Sequence, residues 1–130
     1  MEKYYFLIVI LAGLGFVLAH EFGHFAAADL FGLEPKFVLG TQPDYALLGF
    51  FIGISHLSGS AAAEAFVILG ASVIPLIISL ILLFTSKAFN FKELDFIAKI
   101  FFILIVVNLI PLPGIEMADA NKLFRIFLSG

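Results

Sequence analysis

The sequence predicts an all-α membrane protein of about three transmembrane helices, with a short membrane-surface hairpin or re-entrant segment between the first and second. Three observations lead there. Of 130 residues, 62 % are hydrophobic and only 13 % charged, far from the roughly 45–50 % apolar and 25 % charged usage of soluble domains. Crossing a bilayer takes about 20 apolar residues at about 1.5 Å of rise each, and three segments are apolar enough to try. At this length the chain holds one domain, residues 1–130, with little polar surface left for an appended soluble module.

The first apolar segment runs from Tyr4 to Ala28, and a helix is expected over about 4–31. Its start, "MEKYYFLIVILAGLGFVLA", has the lysine, apolar stretch and small residues of a secretory signal. Apolar character resumes at Phe25 and two further segments follow, so it is read as a retained helix. A long connection, residues 32–60, comes next. Within it "YALLGFFIGIS", residues 45–55, is apolar but too short to span, which suggests a hairpin or a re-entrant piece whose backbone is satisfied by protein or a wet cavity.

The second segment, Ala65 to Phe84, carries no charge, and its helix is expected over about 61–86. Glu64 sits where a first-turn acid is favoured by the helix dipole, and Pro75 is expected to kink the helix. Gly13 and Gly15 in the first helix read as small residues permitting close helix contact. A short connection, residues 85–95, leads to the third segment, Phe96 to Ile110, with a helix expected over about 94–112. In a three-span chain Lys3, Lys87 and Lys92 share one side of the membrane and Lys36, Lys122 and Arg125 the other, an even division that sets no orientation.

Composition also excludes. A formal charge of -3 without basic clusters gives no footprint for nucleic acid. Cysteine is absent, so any metal must be held by histidines and carboxylates.

Those residues occur in "FVLAHEFGHFAAA", residues 16–28, inside the first apolar run. His20 and His24 are four apart and project from one face of a helix. That spacing lets both imidazoles bind one zinc ion, with Glu21 beside them as general base for a water. Ionisable groups within a span carry an energetic penalty, so function is the default reading. A catalytic zinc takes three protein ligands and keeps one position open. The third helix runs parallel to the first, so its C-terminal end arrives at the depth of the histidines. There "NLIPLPGIEMADANKLF", residues 108–124, supplies two carboxylates, Glu116 and Asp119.

"HEFGH" followed two spans later by "NLIPLPG" and an acid resembles the site-2 protease family of intramembrane zinc metalloproteases, over almost the whole chain. That family has a three-helix core. Its first helix carries His-Glu-x-x-His, and its third carries Asn-x-x-Pro, a proline-rich break and an Asp-Gly pair whose Asp is the third ligand. The resemblance implies His20 and His24 as zinc ligands, Glu21 as catalytic base, and Asn108 and Pro111 as parts of a substrate-facing broken helix. "ILGASVIPLIISL", residues 68–80, is similar only weakly to the family's middle helix, with Gly70-Ala71 and Ile74 where Gly-Pro and Asn are usual.

The third ligand has two alignments. Counting from Asn108 lands on Glu116, with Met117 in place of the glycine. Matching the residues that follow lands on Asp119 in "DANKLF", with Ala120 closer to glycine and three residues inserted. Asp119 is preferred and Glu116 is the alternative. His56, in "GISHLSGS", is a candidate substrate contact, although an interfacial loop histidine is the plainer reading.

The resemblance implies cleavage of peptide bonds in membrane-embedded protein or peptide substrates, in a multi-pass protein whose partners are that substrate and the lipid bilayer. It also implies a site nearer the cytosolic face. Because the third-ligand motif departs from the pattern, a non-catalytic metal-binding membrane protein or assembly subunit of the same fold is the alternative.

Overall fold

The computed structural model describes residues 2–40, 51–111 and 119–129. Helix α1, Glu2–Leu30, leads into strands β1, Lys36–Gly40, and β2, Phe51–Ser55; helices α2, Ala61–Phe89, α3, Lys92–Asn108, and α4, Asp119–Ser129, follow. Among the described residues, two helices are long and apolar enough to cross a membrane, α1 over Tyr4–Leu30 and α2 over Ala61–Phe89.

Helix α1 buries one narrow stripe, Ala12, Phe16, Ala19, Gly23 and Ala27, at the three-and-four spacing of a packed helix face. Its other faces expose Leu7, Leu11, Leu14, Leu18 and Phe22. The helix ends because Gly32 adopts a positive φ of 67°. The amide of Leu33 then bonds the Ala28 carbonyl at 3.0 Å, and that of Gly32 bonds Asp29 at 2.9 Å, which is the pairing of a Schellman cap. Leu33 folds back into a buried cluster with Ala27, Ala28, Ala63 and Val67.

Antiparallel β1 and β2 pair from Lys36 opposite Ser55 to Gly40 opposite Phe51. A hairpin therefore occupies the long connection. Of the apolar segment 45–55, residues 51–55 form β2, whereas 45–50 lie outside the described residues. The Phe37 ring stacks on Phe25 of α1, with centroids 4.9 Å apart, so the hairpin rests beside the histidine-bearing part of that helix.

Ser60 caps α2, its hydroxyl accepting from the Ala63 amide at 3.2 Å. The helix continues through the buried Pro75, beyond the 61–86 expected, and turns on Asn90 in the left-handed conformation at φ 56° and ψ 40°, which Asn tolerates better than most residues. The α2–α3 connection is thus residues 90–91, not 85–95. Within it the amide of Phe91 bonds the Ser86 carbonyl at 3.1 Å.

α3 is 17 residues long, spanning about 26 Å. The sequence places its end near 112, but it stops at Asn108, because proline has no amide to donate and disfavours helix at the residue before it; Pro111 follows the closing turn. Paired contacts rise together along α1 and α3: Tyr5 meets Phe96 and Phe16 meets Phe101, at 5.2 and 5.6 Å between ring centroids. The two helices are parallel. α2 runs opposite to α1, since Phe31 meets Phe66 while Gly23 meets Gly70.

Gly23 and Gly70 mark the closest approach of α1 and α2. A Cβ on Gly23 would collide with the Gly70 carbonyl and lie 2.8 Å from Cα of Ala71, and one on Gly70 would lie 2.6 Å from Cβ of Ala27. The close crossing is therefore here, not at Gly13, which has nothing within 4 Å, or at Gly15, where the Phe101 ring stands at an ordinary 3.7 Å. Ser79 ties α2 to α3 through a buried 2.9 Å bond to the Ala98 carbonyl.

Candidate metal centre

His20 and His24 leave α1 on the flank of its buried stripe. His20 stacks on Phe16, and the two imidazoles meet edge to face with centroids 4.9 Å apart. Asp119, the first residue of α4, closes the group. Its Oδ2 stands 2.9 Å from Nε2 of His20 and 3.0 Å from Nε2 of His24. One donor atom from each of the three residues falls within 4.8 Å of the others.

The chemistry of the donor set fits a cation. His24 donates its Nδ1–H to the carbonyl oxygen of Val67 at 2.8 Å, and that bond assigns the proton of a neutral ring to Nδ1. Nε2 then turns a lone pair toward a carboxylate oxygen 3.0 Å away. Two acceptors at that distance repel unless a proton or a metal ion lies between them. A backbone carbonyl holding the far nitrogen of a histidine is also the usual way proteins orient a ligating imidazole. Nδ1 of His20 is buried and has no hydrogen-bond partner among the described residues.

Gly23 makes the Val67 bond possible. Because it carries no side chain, α1 seats against Gly70 and Ala71, which brings the adjacent His24 to the α2 backbone. The glycine inside "HEFGH" is a packing residue.

Asp119 stays ionised. Burial pushes its carboxyl up, but hydrogen bonds from His20 and His24, made where a proton rather than a metal ion lies between the groups, outweigh that and hold it well below the usual carboxylate range. Its other oxygen, Oδ1, lies 3.8 Å from Nζ of Lys122, one turn along α4. Half-buried Glu21 lies within electrostatic range of His24, His20, Asp119 and Lys122.

Asn108 donates its side-chain amide to the Leu104 carbonyl of its own helix at 3.1 Å. Pro111 is exposed after the end of α3, and Glu116 lies outside the described residues. His56 donates Nδ1–H to the Leu57 carbonyl at 2.8 Å, and its Nε2 stands 3.7 Å from Glu64. Glu64 does more than face the helix dipole, since its Oε1 accepts the Gly59 amide at 2.9 Å.

Helix α4 and the Val67 carbonyl are the parts that the sequence reading lacks. The helix leaves a trace in "DANKLFRIFLS", where apolar and polar residues alternate at helical spacing after Asp119. A backbone carbonyl leaves none.

Fold and site together define a mostly helical chain, with two helices able to span a membrane and a His20, His24 and Asp119 group able to hold a metal ion. Compared with protein-family models, with curated proteins and with solved structures, the chain matches none.

Proposed function

We propose that the chain is a membrane-embedded zinc endopeptidase, with α1, α2 and α3 spanning the bilayer and Glu21 as its base. The observation that carries this reading is the convergence of His20, His24 and Asp119 on one point next to Glu21. Two imidazoles and a carboxylate with one position left open are a zinc-hydrolase donor set.

A zinc ion held by His20, His24 and Asp119 would lower the pKa of a water toward about 7 and polarise a carbonyl. The chain does the rest. Glu21 takes the proton of the attacking water and delivers it to the leaving amine. Asp119 keeps the donor face anionic, and Val67 holds His24 in the tautomer that presents Nε2. The site sits in the C-terminal part of α1, so the substrate is a membrane-embedded peptide or protein. Its helix must open before a peptide bond becomes accessible. The edge of β1, whose Phe37 rests against Phe25 of α1, offers backbone partners to such an extended strand.

Glu21→Gln tests the reading. Reconstituted with a fluorescent reporter containing a transmembrane helix, the variant should retain about one zinc per chain and lose about 10²–10⁴-fold in cleavage rate, the usual contribution of a positioned acid–base group. Full activity in this variant would overturn the mechanism. Wild-type chain that binds no zinc would overturn the whole proposal.

A further inference from the structure

We infer that α4 is an interfacial helix that lies on an anionic lipid surface, and that the bilayer thereby holds the third metal ligand at its depth. The partner is the headgroup and upper acyl region of the membrane that α1 and α2 are read as crossing.

Four features converge on this. First, α4 is sharply two-sided. At about 100° per residue, Ala120, Leu123, Phe124, Phe127 and Leu128 fall on one arc and Asn121, Lys122, Arg125 and Ser129 on the other, with Ile126 between Lys122 and Asp119. Ala120, at the start of the apolar arc, is buried where α4 packs on α2. Further along the same arc Phe124, Phe127 and Leu128 are 55 %, 71 % and 72 % exposed. The surface that seats on the bundle at one end thus continues beyond it uncovered.

Second, the polar arc excludes a span. A helix that crosses the hydrocarbon core is apolar on all sides, so one with Lys122 and Arg125 opposite its apolar arc buries that arc in lipid by lying flat. Third, the depth is right. Asp119 contacts His24, six residues before the end of α1 at Leu30, or about 9 Å along the axis. Interfacial helices bury their apolar face about 5–10 Å into the headgroup and acyl boundary.

Fourth, the charge is complementary. The polar arc carries Lys122, whose Nζ also lies 3.8 Å from Oδ1 of Asp119, and Arg125; basic residues on the polar face of an interfacial helix favour anionic lipid.

The absence of cysteine makes a direct test available in the full chain. Single substitutions Phe127→Cys and Ser129→Cys put spin labels about 200° apart around α4, at exposed positions. Leu14→Cys in α1 is the control, because this inference rests on the membrane reading of α1 and α2. Accessibility to oxygen and to aqueous nickel–EDDA is measured in nanodiscs of phosphatidylcholine with and without phosphatidylglycerol. At position 127 the label should be several-fold more accessible to oxygen than to nickel, the reverse should hold at 129, and phosphatidylglycerol should widen the contrast.

If 127 and 129 are equally open to nickel while 14 is not, α4 lies in water and this inference fails alone. If 127 is shielded from both probes, protein covers it, as a second copy would, and the lipid partner is overturned. If 14 is open to nickel, the membrane reading fails with it. A contrast unchanged by phosphatidylglycerol would overturn the anionic preference.

Discussion

Nδ1 of His24 stands 2.8 Å from the carbonyl oxygen of Val67, a bond between the two helices at the place where they come closest. Metal chemistry and helix packing share that contact. The ring can present Nε2 to a metal only while α1 and α2 remain seated on Gly23 and Gly70.

Gly70→Ala should therefore damage more than stability. The new methyl would meet Cβ of Ala27 at 2.6 Å, an overpacking expected to cost about 1–3 kcal/mol. Separating the helices also removes the acceptor of His24, and loss of such an orienting partner weakens metal binding about 10–100-fold. Zinc titration of the purified variant beside its thermal unfolding curve would show both losses. Gly13→Ala, at a position with open space, should show neither.

The two acids of the third-ligand region make opposite predictions. Asp119→Asn removes the oxygen that both imidazoles contact, and bound zinc should fall well below one per chain by elemental analysis. Glu116→Gln should leave the stoichiometry at one. A reversal of the two results would move the ligand to Glu116.

Acid should strip the metal through the histidines. The Asp119 carboxyl is held well below its ordinary range, so it remains anionic as the pH falls and competes for no proton until strongly acid conditions. Both imidazoles must be unprotonated to ligate. Zinc affinity should rise with pH, by up to about two decades per pH unit on the acid side where both rings are charged. Titrations in buffers between pH 5 and 8 would measure that slope, and a steeper dependence would add Asp119 to the titrating groups.

Ser79→Ala tests the packing of α2 on α3. The hydroxyl makes a buried 2.9 Å bond to the Ala98 carbonyl, and its loss should cost about 0.5–1.5 kcal/mol. Unfolding in detergent should shift accordingly, with zinc stoichiometry unchanged because the bond lies away from His20, His24 and Asp119.

Much of this is legible in the sequence. Apolar segment length set α1 and α2 to within a few residues. The four-residue spacing of His20 and His24, with a parallel third helix, pointed to an acid between 116 and 119. What escaped has physical reasons. The span from 94 to 112 was too long because hydropathy does not register the missing amide of Pro111, whereas helix geometry does. Helix α4 is amphipathic, so an apolar-run criterion passes over it. Gly23 lies inside a motif whose chemistry is carried by its histidines and its glutamate, and Gly13 and Gly15 stand in a plain apolar run. Whether a glycine makes a crossing depends on the partner helix, and no local window contains Gly23 and Gly70 together.

The distance along the chain between the partners of the site sets an order of events at the ribosome. Asp119 comes 95 residues after His24, a delay of roughly 5–20 s at ordinary translation rates. Throughout that interval the histidine pair exists without its carboxylate. A nascent chain therefore carries only a two-nitrogen half-site, and a third donor for an ion arrives only when α4 has emerged and folded back onto α2.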